Sequence, residues 1–324
     1  MSPGNNVLIL ANDNTAGIPY NIKLALEKYT GYDCRLITCK RTYLDLPRDE
    51  LASDMTYNQF MSALRWADIV HLNESVVSGQ FPAERNIFFK DTNKKVNLYK
   101  VLGDRKKKFR HAHGSYIRKF GEQVNVICRR HNIQQIVTSP DLLSIARDAV
   151  WLPQILPLDR CQLLEYNPAP VGPGDRLSIS HSPTNRAVKG SDEFEAELAR
   201  VKDMNYVKIE NMSHTDCLKA RRGCHIHFDQ SRLQVYGVSA LEGLAMGQVV
   251  LVGMGIGSRY QPGHPFIDVN RLGMRKALKT AVHVATHPHE RMSFLATARD
   301  WVEENNHPRV IANKLRSIYE SAEN

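Results

Sequence analysis

Two basic side chains, Arg186 and Lys189, lie three residues apart in a polar segment at residues 181–190. The segment follows a predicted strand, residues 177–180, and leads into a predicted helix. Ligands of parallel α/β sheets bind beyond the carboxyl ends of the strands. A guanidinium can clamp two oxygens of a pyrophosphate, while an ammonium and the amides of a helix N-terminus add positive charge. The segment therefore predicts a diphosphate site, with an exposed basic loop as the alternative.

A second segment, residues 234–250, combines a glycine-containing turn, a helix and a Gly247 turn into a strand. Glu242 lies inside that helix among Ala240, Leu241, Gly243, Leu244 and Ala245. An unpaired carboxylate in so apolar a setting is costly, so we expect Glu242 to face a ligand hydroxyl or a cationic partner. The alternative is an ordinary amphipathic helix with Glu242 on its solvated side.

The sequence lacks the motifs of dinucleotide-binding proteins, P-loop proteins and hydrolases with a nucleophile elbow. The turn after the first predicted strand contains only Gly17, not the G-x-G-x-x-G of a dinucleotide site, which disfavours NAD or FAD. Residues 253–257 follow a strand but lack that fingerprint, and no P-loop occurs. Residues 237–241 begin like a nucleophile elbow without its final glycine, which argues against a hydrolase.

Three pairs of histidines are spaced so that both rings can share one strand face: His111 with His113, His225 with His227, and His287 with His289. Zinc needs three or four ligands, so these pairs are more typical of strand or loop histidines than of a metal site. We expect no metal.

Short apolar runs alternate with helical patterns along most of the chain, which is typical of parallel sheets covered on both faces. The predicted strands are residues 7–10, 35–38, 68–72, 109–112, 135–138, 177–180, 206–209, 225–228 and 249–252. The predicted helices are residues 19–29, 57–66, 192–201, 213–221, 238–246, 288–304 and 308–321. The fold class expected is α/β, with two Rossmann-like domains facing each other across a cleft.

A stretch rich in proline and glycine separates the two halves. We place a linker at residues 153–175, because this composition breaks both helix and strand. The domains expected are residues 1–152 and 176–302. Residues 303–324 are expected to form a C-terminal helix that packs back toward the first domain.

Composition is that of a folded globular protein. The 324 residues are 42% hydrophobic and 24% charged, with a mean hydropathy of −0.39. No apolar run approaches the ~20 residues that cross a bilayer, and no positively charged leader precedes the first strand. The six cysteines have no C-x-x-C spacing and are expected to be reduced thiols. A cytoplasmic location is the expectation.

The net charge of +9 is concentrated in the first half. Residues 1–150 hold 22 Lys and Arg against 15 Asp and Glu, and residues 84–110 hold ten against three. Such a field attracts an anionic partner, which can be a phosphate-bearing acceptor, nucleic acid or a membrane surface. The alternative is a solvated basic face. Phe88 and Phe89 give this region few aromatic residues, which makes a membrane surface the weaker choice.

The two segments of the second half resemble retaining glycosyltransferases of the GT-B fold, often called group 1 or family 4. Arg186 and Lys189-Gly190 match the Arg…Lys-Gly pair of the family's diphosphate site. Gln234-x7-Glu242 falls on the family's E-x7-E element, with Tyr236-Gly237 at its Phe-Gly. In the first half, residues 68–71 resemble the family's third strand and residues 113–118 its HGS-type loop.

The resemblance implies roles for individual residues. Donor binding falls to Gly17, Asn185, Gly190, Tyr236, Gly237, Val238, Ser239 and Glu242, with Glu242 holding the ribose hydroxyls and the turn amides holding diphosphate and sugar. Catalytic roles fall to His113 beside the donor sugar, Arg186, Lys189 and Gln234.

Gln234 departs from the family, which has a glutamate that contacts the transferred sugar, and the amide predicts a different donor sugar or lower activity. No D-x-D motif occurs, which fits the metal-independent GT-B class.

The implied activity is transfer of a hexose or similar sugar from a nucleotide diphosphate to a hydroxyl, with the nucleotide sugar as substrate and no cofactor. The acceptor is expected on the first domain, at Lys106, Lys107, Lys108 and Arg118. DNA with hydroxylated bases, an anionic glycan and a lipid phosphate all suit the charge. The rival is a non-catalytic GT-B-like module that binds nucleic acid or polysaccharide, which Gln234 and the basic first half favour.

Overall fold

A computed structural model describes residues 5–39, 41–42, 44, 46–47, 49–73, 84–97, 101–102, 106–157 and 176–322. The chain divides into two compact units. The first contains Met1–Ile155 together with Pro308–Asn324, and the second contains Leu156–His307. Most of the expected linker, residues 158–175, lies outside the described residues.

The first unit is built on a parallel sheet. Its described strands are β1 (Asn6–Ala11), β2 (Asp33–Thr38), β3 (Glu50–Leu51), β4 (Ile69–Asn73), β5 (Glu84–Phe88), β6 (Asn93–Asn97), β7 (Lys107–Ala112), β8 (Gln134–Val137) and β9 (Val150–Trp151). Seven of them form the sheet in the order β3-β2-β1-β4-β7-β8-β9, all parallel. Strands β5 and β6 pair as an antiparallel hairpin.

Helices connect these strands. They are α1 (Ile18–Thr30), α2 (Tyr57–Trp66) and α3 (Ser115–Arg130), with 3-10 turns at Thr15–Gly17, Ala52–Asp54 and Pro140–Ser144. Thr56 begins α2 through a capping box with Gln59, which satisfies two backbone donors that the helix leaves open. Gly31 ends α1 in the left-handed conformation at φ 74°.

The second unit has a smaller parallel sheet of the same kind. Its strands are β10 (Leu177–His181), β11 (Met204–Lys208), β12 (Ile226–Gln230), β13 (Val249–Val252) and β14 (Ile267–Asp268), in the order β11-β10-β12-β13-β14. Its helices are α4 (Arg186–Lys189), α5 (Ser191–Leu198), α6 (His214–Arg221), α7 (Val238–Ala245), α8 (Gly257–Tyr260), α9 (Val269–Leu272), α10 (Met274–Thr286) and α11 (Pro288–Asn305).

The last helix, α12 (Pro308–Ser321), groups with the first unit, whereas residues 303–307 group with the second. Its Tyr319 ring packs against Phe109 of β7 at 4.7 Å between centroids and against Tyr32 at 5.8 Å. Tyr319 is 1% exposed, so α12 completes the core of the first unit.

Every predicted strand and helix is present with small shifts of its ends. Helices α3, α8, α9 and α10, the short strands β3, β9 and β14, and the β5–β6 hairpin had no counterpart in the sequence analysis. The three short strands are two residues each, too short to show a periodicity. Strand β7 starts at Lys107, two residues earlier than predicted, because parallel pairing with β4 continues through Lys107 and Lys108.

The core of each unit lies against its sheet. The side chains of Leu8, Val70 and Leu72 meet α2 and α3 in the first unit, and Phe194 stacks on Phe228 at 4.2 Å in the second. Burying each such side chain stabilises the fold by roughly 1.5–3 kcal/mol. The five described cysteines are free thiols. Among the described helices, none has the length and apolar character that crossing a membrane demands.

Candidate functional site

A buried aspartate joins the two segments of the second unit that sequence analysis selected separately. Asp229, at the carboxyl end of β12, places Oδ1 at 2.6 Å from Lys189 Nζ. Its Oδ2 accepts a hydrogen bond of 2.8 Å from the backbone N–H of Gly237. The Asp229 side chain is 0% exposed, so these contacts fix both the ammonium and the turn before α7. Sequence analysis did not select Asp229, because it is 40 residues from Lys189 along the chain.

The loop that carries Lys189 is shaped by two local features. Asn185 begins α4, since its side chain accepts from the N–H of Val188 at 3.1 Å. Gly190 ends α4 at φ 74°, and a Cβ there would lie 2.1 Å from Ser231 Oγ. Only glycine fits this approach without displacing Ser231. The structure therefore gives Asn185 and Gly190 roles in positioning Lys189.

Arg186 lies in a cluster of three carboxylates. Its Nη1 is 2.9 Å from Glu195 and 2.7 Å from Glu210, and its Nη2 is 2.6 Å from Asp192. The guanidinium lowers the pKa of the Glu195 carboxyl to about 2, chiefly through their hydrogen bond. Arg186 must therefore exchange carboxylate partners for phosphate oxygens before it can act as the predicted clamp.

The amino end of α7 supplies backbone donors beside Lys189. The first N–H groups of a helix have no intrahelical acceptor. The Gly237 N–H is used by Asp229, and the Ala240 N–H turns back to Gly237 O at 3.1 Å. Within the part of the chain that the structure describes, this leaves the N–H groups of Val238 and Ser239 open to an anion. Because a helix N-terminus favours negative charge, the arrangement suits a phosphate group.

Glu242 has a cationic partner, one of the two possibilities that the sequence offered. It is 3% exposed, so the alternative of a solvated Glu242 is wrong. Its Oε2 is 3.2 Å from Arg221 Nη1, and its Oε1 is 2.7 Å from His214 Nε2. Arg221 is 1% exposed and also donates to the carbonyl of Ser239 at 2.8 Å. Sequence analysis did not select Arg221 or His214, which lie on the preceding helix α6.

Ser239 is tied into the same network. Its Oγ is 2.8 Å from Nε2 of His227, a histidine on β12, and 3.3 Å from Arg221 Nη1. Burial lowers the pKa of His227 well below its ordinary value, so this imidazole stays neutral. The first turn of α7 is thus held by β12 on one side and α6 on the other.

Gln234 and Tyr236 face different surroundings. Gln234 is exposed and adopts φ 56°. Its backbone carbonyl accepts a hydrogen bond of 3.1 Å from the N–H of Gly257. The Tyr236 ring is buried, stacks on Phe266 at 5.2 Å, and accepts at its hydroxyl from Asn306 at 2.9 Å. The Tyr236 side chain is therefore part of the core, and only its backbone remains for the donor-binding role predicted for it.

Gly17, His113 and Arg118 belong to the first unit. Gly17 begins α1 at φ 73°, and its carbonyl accepts from Asn21 Nδ2 at 2.7 Å. His113, just after β7, has Nδ1 at 2.6 Å from Thr138 Oγ1 and Nε2 at 2.8 Å from Asn73 Oδ1. Arg118 makes two bonds to one oxygen of Asp141, at 2.7 Å and 3.0 Å, which anchors α3, and its acceptor-binding role stays a prediction.

The three consecutive lysines lie at the amino end of β7, whereas His113 follows its carboxyl end. Lys106 Nζ donates to the carbonyl of Ala67, and Lys107 Nζ donates to the carbonyl of Tyr319 at 3.0 Å. These contacts cap the ends of α2 and α12. Lys108 is only 7% exposed. The three line a cavity of about 520 Å³ at this edge of the sheet. Lys106 and Lys107 are half-buried and Lys108 is buried, so the alternative of a solvated lysine run is wrong, and the acceptor-binding role of these lysines stays a prediction.

Comparison with solved structures agrees with the fold. The chain is similar to a glycosyltransferase from Rickettsia africae over 99% of both chains, with TM-score 0.67 and 14% identity. It is similar to an alpha-glucosyltransferase in complex with UDP-glucose and DNA containing an abasic site, over 98% of this chain and 99% of that one, with TM-score 0.66 and 9% identity. Another complex of an alpha-glucosyltransferase, with UDP and a DNA containing a HMU base, gives TM-score 0.67 and 10% identity over 98% and 99%.

No protein-family model matches the chain, and no curated protein matches it. With two parallel sheets in an α/β arrangement and neighbours that cover the full length, the chain has the fold of GT-B glycosyltransferases. Among the described residues, no group of three or more His, Cys, Asp or Glu side chains is placed to hold a metal ion.

Proposed function

We propose that the chain is a retaining, metal-independent glycosyltransferase that moves a hexosyl group from a nucleotide diphosphate to a hydroxyl acceptor. The observation that carries the proposal is the link made by Asp229 between Lys189 and the amino end of α7. This link holds an ammonium and two open backbone N–H groups at the carboxyl edge of a parallel sheet. That edge is where such folds bind ligands.

The chemistry required of this arrangement is stabilisation of a leaving diphosphate. As the glycosidic bond breaks, negative charge develops on the nucleotide phosphate. Donors that are already fixed in place stabilise that charge without reorganising at the moment of reaction. Lys189 keeps two of its three protons for phosphate, since Asp229 Oδ1 accepts one. The first turn of α7 adds the amides of Val238 and Ser239.

Glu242 completes the donor site in this proposal by holding the ribose hydroxyls. Its carboxylate is held by Arg221 and His214, so its orientation is fixed before a ligand arrives. No protein nucleophile takes part. The leaving phosphate assists deprotonation of the acceptor, and the enzyme positions the two substrates.

The acceptor in this proposal is an anionic polymer, with DNA that carries hydroxylated bases as the first choice. Support comes from the net charge of +9 and from alpha-glucosyltransferases of the same fold in complex with DNA and either UDP-glucose or UDP. A mass increase of one hexose on hydroxymethylated DNA, incubated with mixed nucleotide sugars, would establish this acceptor. A shift on an anionic glycan alone would replace it.

The test of the donor site is nucleotide affinity. Lys189→Ala removes a charge-assisted contact, so UDP binding by calorimetry should weaken about 10- to 150-fold. Arg186→Ala should weaken it as well if the guanidinium moves from its carboxylates to the phosphates. Lys202→Ala, at an exposed lysine of the same unit, is the matched control and should bind UDP like the parent protein. Unchanged affinity in both site variants would show that the donor site is elsewhere.

Two further measurements address mechanism and the rival function. Transfer should survive EDTA, and a loss of activity that a divalent ion restores would contradict the metal-independent mechanism. A non-catalytic binding module would bind polymer but release no sugar from any nucleotide sugar. Sugar release by the parent protein therefore separates the enzyme from the rival.

A further inference from the structure

A chain of hydrogen bonds runs through the first unit beneath the loop that contains His113. The Tyr319 hydroxyl is 2.7 Å from His71 Nδ1, and His71 Nε2 is 3.3 Å from His111 Nδ1. His111 Nε2 is 2.9 Å from Thr138 Oγ1, which is itself 2.6 Å from His113 Nδ1. The chain ends where His113 Nε2 meets Asn73 Oδ1 at 2.8 Å.

When the Thr138 hydroxyl donates to one histidine and accepts from the other, the chain can run in only two directions, since each neutral imidazole donates at one nitrogen and accepts at the other. If Tyr319 donates, all three histidines carry their proton on Nε2 and Thr138 donates to His113. Asn73 then accepts through Oδ1. If the direction is reversed, the Tyr319 hydroxyl becomes the acceptor of His71, and its own proton has no acceptor among the described residues.

The first direction, in which Tyr319 donates, leaves fewer buried polar groups without a hydrogen bond and is therefore lower in free energy. It leaves a single buried donor without a partner, Asn73 Nδ2, which makes no hydrogen bond among the described residues. The reversed direction leaves both a buried phenol proton and the other amide atom of Asn73 unsatisfied, and each such group carries a desolvation penalty. Burial lowers the pKa of His71 to about 3 and that of His111 well below its usual range, so both stay neutral.

Asn73 is the last residue of β4, at the carboxyl edge of the sheet, and is 2% exposed. A buried amide donor that is oriented by a fixed network and lacks a protein acceptor is a preformed site for a ligand oxygen. We infer that Asn73 Nδ2 donates a hydrogen bond to a hydroxyl oxygen of the substrate. The other members of the hydrogen-bond chain are positioning residues that orient the Asn73 amide through His113; they are Thr138, His111, His71 and Tyr319. This inference rests on the proposed glycosyltransferase activity.

The substrate hydroxyl has two possible sources, the sugar of the donor and the acceptor. Both offer the same lone pair, and kinetics separates them. A bond to the donor sugar affects hydrolysis of UDP-glucose in the absence of acceptor. A bond to the acceptor affects only the KM for hydroxymethylated DNA.

The decisive variant is Asn73→Asp. Its carboxylate still accepts from His113 Nε2 but has no N–H to donate, so the network persists and the ligand bond is lost. We expect kcat/KM for one of the two substrates to fall about 3- to 10-fold. UDP binding by calorimetry should be unchanged. Asn58→Asp makes the same chemical change at an exposed position of α2 and should behave like the parent protein.

The positioning role of Thr138 is tested by the tautomers of the histidines, which a general loss of stability would not change. Thr138→Val removes the hydroxyl that relays between His111 and His113, whereas Thr138→Ser retains it. Nitrogen-15 NMR of the histidine side chains should show protonated Nε2 for His71, His111 and His113 in the parent protein and in Thr138→Ser. Thr138→Val should lose that pattern at His113 and reproduce the kinetic loss of Asn73→Asp.

The outcomes are distinguishable. If the parent protein releases no sugar from any nucleotide sugar, the proposed function fails. If the parent protein is active and Asn73→Asp matches it in both assays, the inference about Asn73 is refuted while the function stands. Histidine protons found on Nδ1 would also refute it, because the Asn73 amide would then be turned the other way.

Discussion

Removal of one partner of the buried pair between Glu242 and Arg221 should strongly destabilise the second unit. The side chains are 4% and 1% exposed, respectively, and their charged atoms are 3.2 Å apart. Glu242→Gln removes the negative charge and leaves the buried guanidinium without a negatively charged partner. Removing one partner of such a pair costs about 3–5 kcal/mol. For a unit of this size that corresponds to a fall in Tm of roughly 6–20 °C.

The loss in free energy of unfolding should depend on which partner of the pair is removed. Arg221→Met should cost less than Glu242→Gln, because Glu242 keeps its 2.7 Å contact with His214. The double variant removes both charges together, so its loss of stability should be smaller than the sum of the single losses by about 1–3 kcal/mol. Urea unfolding, followed by circular dichroism at fixed pH for the four proteins, measures this coupling free energy.

Two results would refute this reasoning. Single variants that each cost less than about 1 kcal/mol would show that the guanidinium finds compensation elsewhere, for example through its 2.8 Å bond to the Ser239 carbonyl. Additive losses would show that the charges do not interact. Because Glu242→Gln is expected to destabilise the fold as well as any ribose contact, its activity should be compared with the parent protein only at temperatures where both are folded.

Three further predictions concern other parts of the chain. Gln234→Glu, at an exposed side chain, should change the preferred sugar in a donor panel without altering UDP affinity, and identical turnover for every donor would remove Gln234 from the site. Lys106→Met with Lys107→Met should lower the Tm by roughly 2–12 °C through loss of two hydrogen bonds to helix ends, while the salt dependence of DNA binding stays unchanged. A flatter salt slope would support a place for these lysines in the acceptor site. Because Arg186 lowers the pKa of Glu195 to about 2, the ion pair stabilises the fold fully above pH 4.5, and this stabilisation is lost as the pH falls toward 2. The Tm of Glu195→Gln should therefore decline less than that of the parent protein between pH 4.5 and pH 2. Parallel curves of Tm against pH would contradict this prediction.

Sequence periodicity alone determined the class of fold. Short apolar strands alternate with helices because a parallel sheet must be covered on both faces, and this requirement is written into each local segment. The same local patterns placed Lys189 just after a strand, where ligands bind, and the turn at Gly237 just before a helix. Helix Pro308–Ser321 was predicted to the residue, since Pro308 marks its start.

Tertiary structure alone decided which side chains meet. The contacts of Asp229 with Lys189 and of Tyr319 with His71 span 40 and 248 residues, and no local pattern reports such pairs. The lysines at residues 106–108 show the same limit. Their sequence is that of a solvated basic run, yet Lys107 and Lys108 pair with β4 at the sheet edge, and backbone carbonyls accept hydrogen bonds from Lys106 and Lys107. Local composition sets which residues are available for chemistry, and long-range packing sets which of them are already satisfied within the protein.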